Sequence, residues 1–158
     1  MGNFINPLLK TAVHSDWIDY NGHMNDSAYA LVFSKAVDQL MDSLGIDAEF
    51  REEYQYSIYT LETHLVYLKE AHLNQELHII LQLLDFDSKR LHVFFTMNDE
   101  QGNRLAISEQ MLMGMDMATG RAAPFPPAIQ SKIDTLGKDQ QILSKPEEAG
   151  RRIGIRRK

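Results

Sequence analysis

The chain has 158 residues and a mass of 18.1 kDa, which suits one domain that buries about 70% of its unfolded surface. Hydrophobic residues make up 44% of it and charged residues 24%, so a disordered or fibrous protein is excluded. The formal net charge of -6 argues against a nucleic-acid partner, because phosphate contacts require a basic surface.

Cysteine is absent, so neither a disulfide framework nor a thiolate zinc site is expected. The six histidines are scattered without a metal-binding spacing, and we expect no metal. The first residues, Met1 to Asn6, lack the basic and apolar stretches of a signal peptide, and no apolar run approaches membrane-spanning length. We therefore expect a soluble, cytoplasmic protein that does not bind a membrane.

The first half of the chain predicts one strand and one long helix. Leu8 to His14 is a modest strand signal, and a polar loop follows it. From Ser27 to Leu44 the apolar residues recur at helical spacing, and Gly45 is a typical C-terminal stop. The apolar surface is wider than one stripe, which predicts a helix wrapped by a sheet.

Four extended segments follow a polar connection, Ile46 to Tyr54, that has room for a short helical turn. Turn-forming residues separate the segments, so they predict a meander of long antiparallel strands. One early helix followed by such strands indicates an α+β fold with the helix packed on the sheet. The predicted strands are Tyr56 to Leu68, Glu76 to Phe86, Arg90 to Asn98 and Arg104 to Met117.

The C-terminal part departs from this strand pattern. Pro124 to Pro127 breaks regular structure, and Ile129 to Leu136 predicts a short helix. The last eight residues, Arg151 to Lys158, include five basic side chains, which is typical of a solvated tail. We therefore predict one domain over residues 1–137 and a C-terminal tail over residues 138–158.

The loop before the helix concentrates polar chemistry. Asp19 supplies a carboxylate, His23 an imidazole, and Asn25 an amide, while Gly22 permits backbone dihedral angles that side chains disfavour. Asn25 or Asp26 can cap the helix, which would place free N–H groups and the positive end of the helix dipole beside the carboxylate. A polar turn with an N-cap and a functional site that stabilises negative charge both fit this composition.

A second candidate group lies on the first long strand. Strict alternation places Glu62 and His64 on one face with Ile58, Thr60 and Val66, and Leu61, Leu65 and Tyr67 on the other face. Two interpretations remain open: a sheet face that reaches water, or a face that lines a substrate cleft.

The loop resembles the signature that opens the central helix of hotdog-fold acyl-CoA thioesterases of the 4-hydroxybenzoyl-CoA thioesterase type. The resemblance rests on Asp19 to Asn25 (DYNGHMN) and on Tyr29. Many members of that family carry an additional carboxylate two residues before the position of Asp19, and this chain has Trp17 there. Asp16 lies one residue out of register, so the resemblance leaves open whether Asp19, Asp16 or Glu62 is the catalytic carboxylate.

Four further segments are similar to the betainyl-CoA thioesterase units associated with carnitine dehydrogenases. That resemblance implies hydrolysis of a small acyl-CoA, with betainyl-CoA, cleaved to glycine betaine and CoA, as the candidate substrate. CoA would enter only as part of the substrate, without another cofactor. For the basic residues Arg151 to Lys158, contact with CoA phosphates is the alternative to a solvated tail. The similar segments are Glu62 to Leu68 with Glu70, Lys89 to His92, Glu109 to Leu112 and Gly120 to Pro124.

The resemblance also implies roles for individual residues and a site between the subunits of a homodimer or a dimer of dimers. Backbone N–H groups from Gly22 to Met24 would stabilise the oxyanion, and aromatic faces would surround a trimethylammonium group. A hotdog dehydratase and a non-catalytic acyl-CoA-binding protein are the alternatives. The implied catalytic residues are Asp19, His23, Asn25, Glu62 and His64, and the implied substrate-binding residues are Trp17, Tyr20, Asn21, Gly22, Met24 and Tyr29.

Overall fold

The computed structural model describes residues 6–158 as three α-helices and one six-stranded antiparallel sheet, with a single 3-10 turn at Ser15–Trp17. Residues 1–5, where the sequence shows no signal-peptide pattern, lie outside the described residues. The helices are α1 (Asp26–Leu44), α2 (Ala48–Tyr54) and α3 (Pro127–Gln140). The strands are β1 (Leu9–Ala12), β2 (Tyr56–Tyr67), β3 (Glu76–Phe86), β4 (Arg90–Asn98), β5 (Arg104–Asp116) and β6 (Arg121–Ala122).

The sheet has the order β1-β3-β4-β5-β2, and β6 pairs with the end of β5. β3, β4 and β5 are joined by hairpins, whereas β2 lies at one edge and pairs along its length with β5. The inner face of the sheet packs on α1 through a continuous apolar core. The predicted α+β hotdog architecture, a long antiparallel sheet around one central helix, is confirmed.

The central helix α1 forms where the helical periodicity predicts it. Asn25 caps its first turn, because the N–H of Ala28 donates to the side-chain oxygen of Asn25 over 2.9 Å. Gly45 ends the helix in the left-handed conformation with φ of 89°, which a residue with a Cβ adopts at a cost. Between them nine of the 19 side chains are buried, among them Val32 and Phe33, so one face of the helix packs on the core. The predicted apolar surface is too wide, because Ala30 and Leu31 are exposed.

The polar connection after α1 contains more structure than the sequence pattern indicates. Residues Ala48–Tyr54 form α2, which is capped by Asp47 through a 2.8 Å hydrogen bond from the N–H of Phe50. None of the side chains of α2 is fully buried, so apolar periodicity carries little signal there.

The strict alternation predicted for β2 is wrong, because the register shifts between Thr60 and Glu62. Thr60 pairs with Leu112 on the core side, whereas Glu62 pairs with Met111 on the opposite, outer face. The extra residue, Leu61, has no partner of its own, as in a β-bulge. Glu62 and His64 therefore face away from α1, and Thr60 does not share their face.

The C-terminal part is anchored to the sheet. The helix α3 extends beyond the predicted Ile129 to Leu136, so the boundary predicted at residue 137 falls inside it. The side chain of Gln140 accepts a hydrogen bond from the N–H of Leu83 (2.6 Å) and donates to the carbonyl of Leu81 (3.1 Å). It thus satisfies backbone groups on the part of β3 that β1 leaves unpaired.

After α3, residues 141–150 cross the outer face of the sheet. The Gln82 side chain donates to the carbonyl of Ser144 over 3.0 Å, and Arg104 pairs with Glu148 over 2.8 Å. Phe94 and Ile107, which project from this outer face, are fully buried although they lie outside the main core cluster. This segment therefore covers the outer face and is not a free tail.

Among the described residues, no helix combines the length and the apolar character that crossing a lipid bilayer requires.

Candidate active site

A tight turn holds the polar loop in place before α1. The N–H of Gly22 donates to the carbonyl of Asp19, and the N–H of Asn21 donates to the Asp19 carboxylate over 2.8 Å. Gly22 has a φ of 79° and open space where a Cβ would stand, so backbone conformation and not crowding favours glycine here. One oxygen of Asp19 is engaged locally, and the partly exposed carboxylate remains accessible to a ligand.

Asn25 fastens the loop to the helix with both ends of its amide. Its oxygen accepts from the N–H of Ala28 over 2.9 Å, and its NH₂ group donates to the carbonyl of Trp17 over 2.8 Å. The backbone N–H of Asn25 donates to the same Trp17 carbonyl. The structure therefore supports a positioning function for this amide, whose two polar ends are both occupied.

His23 points to a segment that follows β2. Its Nε2 atom lies 3.1 Å from the Glu70 carboxylate, and its ring packs edge-on against His72 with centroids 5.2 Å apart. The N–H of Met24 donates to the carbonyl of Ala71, which joins the loop and this segment through their backbones. The imidazole of His23 is thus held beside a carboxylate at the start of α1.

The predicted set of oxyanion donors is wrong in part. The N–H groups of Gly22 and Met24 already donate to the carbonyls of Asp19 and Ala71, so they are occupied. Within residues 6–158, the backbone N–H groups of His23 and Asp26 have no acceptor. These two N–H groups, one of them at the first residue of α1, are free to donate hydrogen bonds to a negatively charged oxygen.

The three predicted aromatic residues lie in different environments. Trp17 is 9% exposed, and the ammonium group of Lys35 lies 5.3 Å from its ring centroid, so a cation already occupies one face. Tyr29 is buried, and its hydroxyl donates to the carbonyl of Lys69 and accepts from the N–H of Ala71. Burial raises the pKa of Tyr29, which keeps this hydroxyl protonated. Tyr20 is 97% exposed at the tip of the turn.

Glu62 and His64 lie in a different place from the loop within one chain. They line a cavity of about 580 Å³ between the outer face of the sheet and residues 150–153, and no residue of the loop lines that cavity. Two residues that the sequence did not single out individually, His92 and Glu109, lie in the same cavity and are 2.7 Å apart. Of the five implied catalytic residues, the chain brings together Asp19, His23 and Asn25, whereas Glu62 and His64 lie apart from them.

The Glu109 carboxylate is a well-anchored charge in that cavity. Burial alone would raise its pKa, but hydrogen bonds from the N–H of Gly150 and from His92 outweigh burial and hold the pKa below its ordinary value. Glu109 is thus ionised at neutral pH and fixes Gly150 to the sheet.

Sequence reasoning missed Glu70, His72 and Tyr67 as neighbours of the loop. Glu70 belongs to a segment that resembles the thioesterase units, but nothing local in the sequence indicates that it contacts His23, 47 positions earlier. Tyr67 donates from its hydroxyl to the carbonyl of Asp26 over 3.2 Å.

Within the described part of the chain, no group of three histidine, aspartate or glutamate side chains forms a metal site, and the absence of a metal stays a prediction.

The sequence is similar to those of proteins named thioesterases. The model of the thioesterase-like superfamily matches residues 13–133. A betainyl-CoA thioesterase of Pseudomonas aeruginosa is 39% identical, with 92% of each chain covered. An L-carnitine dehydrogenase/betainyl-CoA thioesterase of Rhizobium meliloti is 37% identical over 95% of this chain, which covers 30% of that longer protein.

Among solved structures, a Staphylococcus aureus protein in complex with CoA is 34% identical and superimposes with a TM-score of 0.89. The superposition covers 98% of this chain and all of the other chain. A CoA ligand is therefore known on a chain of nearly the same shape.

Proposed function

The chain belongs to the thioesterase-like superfamily and is an acyl-CoA thioesterase, and we propose that the loop Asp19–Asn25 and the start of α1 form its active site. The observation that supports this assignment is that the loop with the partly exposed Asp19 carboxylate also carries an unoccupied N–H group at His23 and leads into another at Asp26, the first residue of α1. Hydrolysis adds water to the thioester carbonyl, breaks the carbon–sulfur bond and releases a carboxylic acid and CoA.

In this mechanism the Asp19 carboxylate takes a proton from the attacking water or attacks the carbonyl itself. The N–H groups of His23 and Asp26 donate to the oxygen that becomes negative, where the helix dipole also favours charge. The His23 imidazole, oriented by Glu70, and the Asn25 amide hold the loop in the geometry that this requires.

The exchange Asp19→Asn tests the assignment. We expect turnover to fall by about a hundredfold or more, because the amide cannot act as a base while its oxygen still accepts the bond from the N–H of Asn21. Asp16→Asn is the matched control, since Asp16 is exposed three residues earlier, and should change turnover by less than about twofold.

A thiol-reactive dye measures CoA release from several acyl-CoA esters. Unchanged turnover in Asp19→Asn would move the catalytic role to Asp16 or Glu62. Tight binding of the esters by the wild-type protein without thiol release would instead identify the non-catalytic alternative, and loss of an enoyl spectrum would identify a dehydratase.

The relatives named betainyl-CoA thioesterases suggest betainyl-CoA as the substrate, and the aromatic residues bear on it. Tyr67 is 50% exposed, packs edge-on against Tyr29 with centroids 5.1 Å apart, and contacts the start of α1. Burial and then the Asp26 carboxylate raise the pKa of Tyr67. An aromatic face with a carboxylate nearby suits a trimethylammonium group.

Betainyl-CoA and its uncharged isostere 3,3-dimethylbutyryl-CoA separate charge recognition from shape. We expect Tyr67→Leu to lower the preference for betainyl-CoA by about two- to thirtyfold, as loss of a cation–π contact would. Tyr54→Leu is the control, because Tyr54 is 60% exposed but lies on α2. An unchanged preference in Tyr67→Leu would remove Tyr67 from the acyl site.

The chain is also proposed to form a homodimer through β2. Within residues 6–158 this strand of 12 residues pairs on one side only. Four apolar side chains on the strand or directly after it are between 42% and 56% exposed. Such an edge pairs readily with a second copy of itself. The four side chains are those of Tyr59, Leu61, Tyr67 and Leu68.

Sedimentation measures this assembly directly. We expect a wild-type mass of about twice the chain mass and a shift toward monomer in Leu61→Lys, because a charge would be placed at the centre of the edge. Ile142→Lys, at another exposed apolar position, should leave the mass unchanged. A monomeric wild-type protein would contradict the proposal.

A further inference from the structure

The basic charge of this chain is concentrated at its C-terminus. The last eight residues contain five basic and no acidic side chains. Since the whole chain has a formal net charge of -6, residues 1–150 have a formal net charge of -11. A body of that charge repels an anionic ligand such as CoA at low ionic strength. An anion that binds this protein therefore meets its strongest attraction at residues 151–158.

The start of this basic segment is held in a defined position. Arg104 pairs with Glu148, and the N–H of Gly150 donates to the Glu109 carboxylate over 2.8 Å. Glu109 is in turn bonded to His92 on the neighbouring strand. Arg151 and Arg152 consequently leave the sheet from a fixed point and need little ordering to bind a ligand.

The five cations form no ion pair within residues 6–158, although the charge of Arg151 lowers the pKa of Glu148 after the larger effect of Arg104. None of the ion pairs found within residues 6–158 involves Arg151, Arg152, Arg156, Arg157 or Lys158, and all five are exposed. Their side chains are thus available to an anion from outside the chain. Phosphates suit them, since arginine binds phosphate oxygens through paired N–H groups.

The basic segment also lies near the candidate active site. Residues 151–154 line a groove with residues 64–67 at the end of β2, and the last of these, Tyr67, is bonded to Asp26 at the start of α1. A ligand that passes around this end of β2 can therefore reach the loop with one end and the basic segment with the other.

We propose that residues 151–158 bind the phosphate-bearing end of coenzyme A while the thioester lies at the loop before α1. The inference rests on the proposed function for the location of the thioester. The 3′-phosphate carries about -1.5 to -2 charges at neutral pH and the pyrophosphate adds more, which matches the five cations.

Calorimetric titration of the full-length protein with free CoA, dephospho-CoA and pantetheine tests the proposal without requiring hydrolysis. The variant Arg151→Gln/Arg152→Gln removes two charges at the fixed start of the segment, and Arg156→Gln/Arg157→Gln removes two charges at its end. Lys132→Gln/Lys138→Gln, on exposed positions of α3, is the control with the same change in charge.

We expect each arginine pair to weaken CoA binding by about tenfold, equal to about 1.4 kcal/mol, and the lysine pair to weaken it by less than twofold. Added salt should weaken wild-type binding and reduce the difference between variants. The arginine exchanges should weaken the binding of dephospho-CoA less than that of CoA. Pantetheine, which has no phosphate, should bind all variants with the same affinity.

Two results would overturn the proposal: CoA binding that the arginine exchanges leave unchanged, or pantetheine binding that weakens as much as CoA binding. The second result would mean that the segment supports the fold of the site and not the phosphates. Failure of the proposed function is separate, since a protein that binds CoA through its arginines but hydrolyses no thioester would contradict only the catalytic assignment.

Discussion

Asn25 contributes to stability and to the geometry of the site through its helix cap and through a separate bond to Trp17. Its oxygen also accepts from the exposed Ser27 hydroxyl. Asn25→Ala removes the cap on Ala28, which costs about 1 kcal/mol, and the side-chain donation to the carbonyl of Trp17, which costs about another 1 kcal/mol. The Trp17 carbonyl keeps its backbone donor, so no buried acceptor is left without a partner. We therefore expect a loss of about 2 kcal/mol of unfolding free energy.

Asn25→Ser separates the two contributions, because a serine hydroxyl still caps the helix but does not reach the carbonyl of Trp17. Its expected loss is about 1 kcal/mol. Asp47→Ala, which removes the cap of α2 alone, is the matched control and should also cost about 1 kcal/mol.

Urea unfolding at one fixed protein concentration measures these differences. With a slope of about 2 kcal/mol per molar urea, Asn25→Ala should lower the midpoint by about 1 M and Asn25→Ser by about half of that. Equal midpoints for the alanine and serine variants would show that the bond to Trp17 contributes nothing. A loss no larger than that of Asp47→Ala would refute the additive reasoning.

Two further predictions concern the scaffold. Gly114→Ala should destabilise the fold by about 3 kcal/mol in urea unfolding, since the new Cβ would clash with the Tyr56 hydroxyl and lie 2.7 Å from the Ala123 carbonyl oxygen. Gly154→Ala, with nothing within 4 Å, should be neutral, and an equal effect of both exchanges would contradict this explanation. The Arg104 side chain lowers the pKa of Glu148 from its ordinary 4.5. The ionised Glu148 carboxylate therefore stabilises the fold fully above pH 4.5, and this stabilisation is lost as the pH falls through the lowered pKa. Glu148→Gln should consequently flatten the acid side of a profile of unfolding free energy against pH.

The elements with strong local signals could be predicted from the sequence. The bounds predicted for Glu76 to Phe86 and Arg90 to Asn98 agree with β3 and β4, and α1 differs from its prediction by one residue. The cap by Asn25 was one of two predicted options, and the spacing of apolar residues located the core face of α1. Each of these features depends on residues close together in the chain.

The position of Glu62 and His64 could not be predicted in the same way. One bulge residue, Leu61, reverses the alternation of β2, and a bulge has no reliable local signature in this segment. The occupation of the Gly22 and Met24 amides likewise depends on a turn and on a partner, Ala71, from a distant segment.

The sequence by itself determined the fold class, the central helix and the loop that carries the candidate chemistry, because turn, cap and periodicity are local properties. Only the tertiary structure decided which amides at the loop are free, that Glu70 holds His23, and that Glu62 and His64 face away from α1. These depend on register and on contacts between distant segments, which arise when the sheet closes around α1. The same packing attaches residues 141–150 to the outer face and so places the basic C-terminus beside β2.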